Sequence, residues 1–227
     1  MASGIRARAT IEDLLRVDGK AELIGGRIVH LMPTGFRPGR VAFRIAVSLN
    51  DHAEATGRGI ALPDNVGYTV PELASGRRSF APDASYYVGL YPDDAIRFVE
   101  GPPTFAVEVR SEGDYGPAAE AELAAKRADY FDAGTLVVWD VDPVARLVTS
   151  HRADSPRSPS AFRDGEEADA EPAVPGWRPA LGPIFRDEPG VEKTDGGRGP
   201  ASVRAATAVG PLRHPAAIDP RPGQSRA

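Results

Sequence analysis

One predicted helix lies between two apolar strands, and this arrangement limits the folds open to the chain. The helical segment PAAEAELAAKRADYFDAG begins at Pro117 and ends at Gly134, residue types that are common at the two ends of helices. TFAVEVR precedes it and TLVVWDVD follows it, and both have the β-branched and aromatic composition of strands. The helix is therefore predicted to be a crossover between two strands of one sheet.

The segments before the crossover predict antiparallel strands, so the sheet is expected to be mixed. AELIGGRIVHL has two apolar runs around Gly25-Gly26, which is typical of a hairpin. The other predicted elements are a helix start at Thr10, a helix from Pro38 to about Ala55, and strands around Val66–Val70, Phe80–Val88 and RLVTSHR. The sequence predicts an α/β fold, with a mixed β-sheet flanked by helices, and not the strict alternation of a Rossmann fold.

Composition predicts one folded domain, residues 1–185, followed by a tail. The chain has 227 residues, of which 41% are hydrophobic, enough for a single core. Residues 186–227 contain no Phe, Trp or Tyr and are rich in Gly, Pro and Ala, so they are predicted to be disordered. Residues 152–175, also poor in large apolar side chains, are predicted to form a long loop.

Several classes of site and location are excluded or disfavoured. The chain has no cysteine, which excludes disulfides, zinc–thiolate sites and cysteine nucleophiles. It has neither the apolar core of a signal peptide nor an apolar run long enough to span a membrane, so a cytoplasmic protein is expected. The net charge of -5 means that nucleic-acid binding would require a local basic patch.

Two carboxylates stand on predicted strands. Asp83 lies at the entrance of the strand in FAPDASYYV, and Glu108 shares one face of TFAVEVR with Arg110. Without any functional role, Asp83 is also explained as a turn residue, and Glu108 as part of the solvent-exposed face of an edge strand. On neighbouring strands, however, the two acids would repel each other, and a hard divalent cation such as Mg²⁺ would relieve that repulsion.

Basic residues on the two long helices are candidates for contact with an anion. Lys126 lies at the margin of the inward stripe of its helix and could reach the end of the sheet, although an ion pair with Glu122 is equally consistent with the spacing. A second set shares one side of the first long helix or precedes the Asp83 strand: Arg37, Arg40, Arg44, Arg77 and Arg78. It is either a phosphate-contacting rim or a solvated surface.

The motifs ELIGGRIV, APDASYYV, FAVEV and KRADYFDAGTLVVWDVDP, in this order, resemble the Uma-two family of bacterial proteins. That family is a branch of the PD-(D/E)XK restriction-endonuclease-like group, and the resemblance covers roughly Ile11 to Phe185. It implies a restriction-endonuclease-like fold and hydrolysis of phosphodiesters in DNA. Mg²⁺ (or Mn²⁺) would be bound by Asp83, Glu108 and the Val109 carbonyl. Homodimers are common among such nucleases, so a homodimer is a further expectation.

The resemblance also assigns roles to two more residues and leaves alternatives open. Lys126 would help to position or activate the attacking water, and Glu22 would be an outer ligand of the metal or water. The general pattern places a lysine two residues after the glutamate, where this chain has Arg110, which is too basic to accept a proton readily. An inactive module that binds DNA or protein, and a hydrolase of another phosphate ester, remain alternatives.

Overall fold

The computed structural model describes residues 8–90 and 96–187, and the predicted crossover lies at its centre. Its helices are α1 (Ile11–Leu14), α2 (Phe36–Thr56), α3 (Pro117–Ala133) and α4 (Leu181–Phe185). Its strands are β1 (Ala21–Ile24), β2 (Arg27–His30), β3 (Ile60–Pro63), β4 (Tyr68–Thr69), β5 (Ser79–Phe80), β6 (Ala84–Tyr87), β7 (Val99–Glu100), β8 (Phe105–Val109), β9 (Val137–Asp142), β10 (Leu147–Arg152) and β11 (Ser160–Arg163). None of these helices is long and apolar enough to cross a membrane.

The main sheet has six strands in the order β11-β10-β9-β8-β6-β3. The pair joined by α3, β8 and β9, is parallel, and the other neighbours are antiparallel. This confirms the predicted mixed sheet and its crossover helix. The hairpin of β1 and β2 is also present, with Gly25 and Gly26 both at positive φ, as a tight two-residue turn requires.

The two long helices cover opposite faces of this sheet. Phe105, Val107 and Val109 of β8 belong to the core formed with α2, whereas Ala106 lies in a second cluster with Tyr130 of α3. Since successive strand residues point to opposite faces, Glu108 lies on the α3 face together with Ala106. Strand β8 lies between β6 and β9, so the interpretation of Glu108 as part of an edge strand is wrong.

The predicted strand at Phe80–Val88 is two strands in two sheets. β5 belongs to a three-stranded sheet with β4 and β7, and β6 belongs to the main sheet. Residues 81–83 separate them, because Pro82 has no N–H to donate to a ladder. The interruption places Asp83 directly before β6.

Other departures from the predicted elements have local causes. Helix α2 begins at Phe36, two residues before Pro38, since a proline is tolerated within the first turn. The predicted loop 152–175 contains β11, where Phe162 pairs with Val148 and packs against the core. Short strands β3 and β7 were not predicted. The predicted tail, apart from residues 186 and 187, lies outside the described residues.

The core on the α2 face is expected to dominate stability. Phe105 is fully buried and meets the stacked rings of Trp139 and Trp177 edge-on, so Phe105→Ala should lower the free energy of unfolding by about 3–5 kcal/mol. The matched control is Phe43→Ala, at a position 55% exposed on α2, with an expected cost below about 1 kcal/mol. Urea unfolding measures both, and equal costs would contradict this description of the core.

Candidate active site

Asp83 bridges β6 and β8 at the end of the main sheet. Its backbone N–H donates to the carbonyl of Val107 at 3.0 Å, and its Oδ2 accepts from the N–H of Val109 at 2.8 Å. Its Oδ1 accepts from Nζ of Lys20 at 2.9 Å. The carboxylate is therefore held in a fixed orientation beside β8, and it is more than a turn residue.

Glu108 projects from β8 beneath α3. Its Oε1 accepts from the hydroxyl of Tyr130 at 2.7 Å and its Oε2 from Nζ of Lys126 at 2.9 Å. Burial raises the pKa of Glu108, and Asp83 and Glu22 raise it further, while Lys126 lowers it without cancelling the effect. A second cation at this point would therefore be electrostatically favourable.

Lys126 is shared between two acids from different parts of the chain. Its Nζ lies 2.9 Å from Oε2 of Glu108 and 3.1 Å from Oε1 of Glu22. It was predicted to reach the end of the sheet or to pair with Glu122, and the structure shows the first arrangement. Burial lowers the pKa of Lys126, but Glu108 and Glu22 outweigh this and raise it above its ordinary value, so the ammonium stays charged.

Glu22 of β1 is almost completely buried and fully hydrogen-bonded. Its Oε1 accepts from the N–H of Ala81 at 3.0 Å, and its other oxygen pairs with Arg77. Arg77 in turn donates from Nε to Asp129 of α3 at 2.8 Å. Arg77 was predicted to belong either to a phosphate-contacting rim or to a solvated surface, whereas the structure buries it in the network that holds Glu22 and Lys126.

Lys20 is a site residue that the sequence analysis missed. Its Nζ lies 2.9 Å from Asp83 and 2.6 Å from Asp64, and burial lowers its pKa less than these two acids raise it. A signal for it exists in KAELI, because Lys20 and Glu22 are two residues apart at a strand entrance and so share a face. Asp64 follows β3 and has no comparable signal in the sequence.

Arg110 is bound to acids on two neighbouring elements. Its Nε and Nη2 donate to the two carboxylate oxygens of Asp140 at 2.8 and 2.7 Å, and it also pairs with Glu120 of α3. Asp140 lies opposite Glu108 in the parallel register of β8 and β9. Arg110 thus serves as a structural cation, and it is Lys126 whose charge lies against Glu108.

These groups line one cleft of about 410 Å³ between the β1–β2 hairpin, the end of β8 and α3. Lys20, Glu22, Asp83, Glu108, Val109 and Lys126 all contribute to its walls. Within the described ranges, no three His, Asp or Glu side chains are grouped as a metal site. Two carboxylates and a carbonyl, with water completing the shell, are nevertheless donors that suit Mg²⁺.

The predicted arginine row on α2 lies away from this cleft. Arg37 pairs with Asp187 at 3.1 Å, and Arg44 donates to the carbonyls of Ile184 and Arg186. Arg40 lies over the ring of Phe43, 5.3 Å from its centroid. None of the three arginines is among the residues that line the cleft, and their predicted contact with phosphate stays a prediction.

A sequence model described as "Uma2: Putative restriction endonuclease" matches residues 10–182, which is more than half of the chain. The chain belongs to the Uma2 family. This confirms the resemblance drawn from the motifs around Asp83, Glu108 and Lys126. No curated protein sequence matches this Uma2 chain.

Solved structures also resemble the Uma2 chain. One is a crystal structure from Anabaena variabilis ATCC 29413, described as "a putative nuclease belonging to DUF820". It is 17% identical, with a TM-score of 0.60 over 78% of this chain and 97% of that chain, so it shows the fold alone. A cryo-EM structure of a DrdV–DNA complex is 19% identical over 65% of this chain and 12% of its own, with a TM-score of 0.31.

The buried pairing of Glu22 should appear in the pH dependence of stability. Burial raises its pKa, but Lys126 and Arg77 outweigh this and hold the pKa below the ordinary 4.5. Stability from Glu22 is therefore present above pH 4.5 and lost as the pH falls through the folded-state pKa. Glu22→Gln should cost about 3–5 kcal/mol at pH 7, and the cost should fall progressively as the pH drops below 4.5 through the folded-state pKa.

Urea unfolding of wild type and Glu22→Gln at pH 7, pH 4 and pH 3 measures this change. Glu112→Gln, at an exposed position in the loop after β8, is the control and should be neutral at all three. A penalty for Glu22→Gln that is the same at pH 3 as at pH 7 would show that the charge on Glu22 is not what stabilises the fold.

Proposed function

We propose that this Uma2-family protein is a metal-dependent endonuclease that hydrolyses phosphodiester bonds in DNA. The observation that carries the proposal is the meeting of Asp83, Glu108 and Lys126 in one cleft, on a nuclease-like fold. Membership of a family described as "Putative restriction endonuclease" supports DNA as the substrate. A cytoplasmic location is part of the same proposal.

Asp83, Glu108 and the Val109 carbonyl would hold Mg²⁺ or Mn²⁺. When bound, the ion would neutralise charge on the phosphate oxygens and help to ionise a water molecule. Asp83 is suited to this role because its Oδ2 accepts a hydrogen bond from the N–H of Val109, which fixes the carboxylate against β8. Glu108 is suited because burial, together with Asp83 and Glu22, raises its pKa despite Lys126, so that an added cation would stabilise the carboxylate.

Lys126 would act through its charge and not as a base. Its pKa is raised by Glu108 and Glu22, so it has no free lone pair at neutral pH with which to take a proton. Its ammonium could hydrogen-bond to the attacking water or to a phosphate oxygen. Hydrolysis adds the water oxygen to phosphorus and breaks one P–O ester bond, which leaves a phosphomonoester and a hydroxyl group.

We propose that Glu22 holds Lys126 in place, which differs from the predicted role as an outer ligand. Its two oxygens already accept hydrogen bonds from Ala81 and Arg77, and Oε1 also forms an ion pair with Lys126. Arg37, Arg40 and Arg44 lie on the helix that covers the opposite face of the sheet, so any contact of theirs with phosphate would lie outside the cleft.

A second candidate function is a nuclease-fold module that binds DNA or protein without cleavage. The favouring observation is that Lys20, Lys126 and Arg77 already balance Asp83, Glu108 and Glu22 without an added ion. Such a balanced site would need no metal to fold. The two candidates differ in whether the protein requires a divalent cation to act.

Purified protein should nick plasmid and cut short duplex DNA with Mg²⁺ or Mn²⁺, and EDTA should abolish both. Asp83→Asn should lower the rate by about 100-fold or more, since it removes a charged ligand. Lys126→Met should be similarly impaired, whereas Lys126→Arg should keep part of the activity, because a positive charge remains. Circular dichroism of each variant checks that it is folded.

The matched control is Asp51→Asn, on the exposed part of α2, which should cut at the wild-type rate. Cleavage that is equal in wild type and Asp83→Asn would sink the assignment of this site. Parallel reactions with RNA and with p-nitrophenyl phosphate distinguish a DNA nuclease from a hydrolase of another phosphate ester. Metal-independent DNA binding without cleavage would favour the binding module.

A further inference from the structure

One wall of the cleft is apolar. Ile24 and Val29 of the β1–β2 hairpin, with Leu31 and Met32 just after it, line the cleft. Val29 is 40% exposed and Met32 84%, so packing within the described chain covers neither side chain completely. The other face of the hairpin, with Leu23, packs in a small core with α1. The hairpin therefore has one face that belongs to a core and one apolar face that is turned to the cleft.

This apolar wall adjoins the candidate metal ligands. Val29 pairs with Glu22 across the hairpin, so their side chains lie on the same face. Glu22 lies 3.1 Å from Nζ of Lys126, which in turn contacts Glu108. The two candidate ligands are recessed, since the side chain of Glu108 is 16% exposed and that of Asp83 is 20% exposed. A molecule that enters the cleft far enough to reach these carboxylates therefore also meets the apolar wall.

The charges that line the cleft suit a single phosphate group. The acids are Glu22, Asp83, Glu108, Asp114 and Glu122, and the bases are Lys20, Arg77, Arg110 and Lys126. Five negative and four positive charges leave a net charge of -1, which one divalent cation would change to +1. A phosphodiester group carries one negative charge and would balance it.

A row of phosphates would find less support in the cleft. Each of its four bases already pairs with an acid of the protein, so no lysine or arginine among the described lining residues is uncommitted. Proteins that bind a length of duplex rely on several such contacts to the backbone. The cleft thus favours a substrate that inserts one phosphate together with an apolar group.

A nucleotide whose base has left the stack has both of these features. It carries one phosphate, and its base presents a flat face that enzymes hold against aromatic or apolar side chains. The cleft volume of about 410 Å³ is in the range of pockets that bind one small molecule, roughly 300–1,000 Å³. A base that stays paired and stacked in a duplex is covered by its neighbours and cannot contact the wall.

We propose that the cleft binds one unpaired nucleotide of DNA, with its base against Val29 and Met32. The phosphate of this nucleotide lies at the cation held by Asp83 and Glu108. The inference rests on the proposed function and narrows its substrate to DNA with unpaired nucleotides, as in single strands and bulges. A fully paired duplex is a poorer substrate, because a base must first be unstacked and unpaired.

A duplex with one bulged nucleotide provides the direct test. With Mg²⁺, the full-length protein should cut the bulged strand beside the bulge at least about tenfold faster than it cuts the same duplex without the bulge. The single strand should also be cut faster than the paired duplex. Equal cleavage of all three would overturn this inference and leave the nuclease assignment intact.

Binding provides a second readout that does not need cleavage. Fluorescence anisotropy with Ca²⁺, which also takes oxygen ligands, should show about tenfold tighter binding of the bulged duplex than of the paired one. The variant with both Val29→Ala and Met32→Ala should lose this preference, since it lacks most of the apolar wall. The matched control is Leu90→Ala, 88% exposed and outside the cleft, which should keep it.

The two levels of the account fail in different ways. The double variant should bind Mn²⁺ with wild-type affinity in calorimetry, because the wall does not contact the metal. A preference for bulged DNA without any cleavage would contradict the proposed function and support the nucleotide site. No preference in wild type, or the same preference in the double variant, would overturn the nucleotide site.

Discussion

The buried ammonium of Lys126 is the interaction on which the candidate site depends. It joins α3 to β8 through Glu108 and to the β1–β2 hairpin through Glu22, and these are the three elements that wall the cleft. Removing one partner from such a buried pair leaves an uncompensated charge, at a typical cost of 3–5 kcal/mol. The walls of the cleft are therefore coupled to each other through one nitrogen atom.

The same principle extends outward from Lys126. Arg77 links Glu22 to Asp129, Arg110 links Asp140 to Glu120, and Lys20 links Asp83 to Asp64. Each of these cations forms ion pairs with two acids from different parts of the fold, and its charge reduces the repulsion between them. Because Arg110 is committed to Asp140, the cation beside Glu108 comes from α3 and not from β8.

Local sequence patterns predicted much of this arrangement, but they could not predict which distant residues the charged side chains would pair with. Pro117 and Gly134 marked the ends of α3, and the alternation in TFAVEVR placed Glu108 on one face of its strand. Pro82 was a local sign of a break in the strand, but nothing local showed that the two halves would join different sheets. The partners of Lys126 and Lys20 could not be chosen from spacing, because Glu22, Glu108 and Asp64 reach them through pairing across 18 to 104 residues of chain.

In the proposed site, Asp83 and Glu108 together hold a divalent cation. Isothermal titration calorimetry with Mn²⁺ tests it directly on wild type, Asp83→Asn and Glu108→Gln. We expect saturable binding to wild type and a loss of affinity of about tenfold or more in each variant, since each removes one of two charged ligands. Absence of binding to wild type, or equal affinity in wild type and Asp83→Asn, would contradict it.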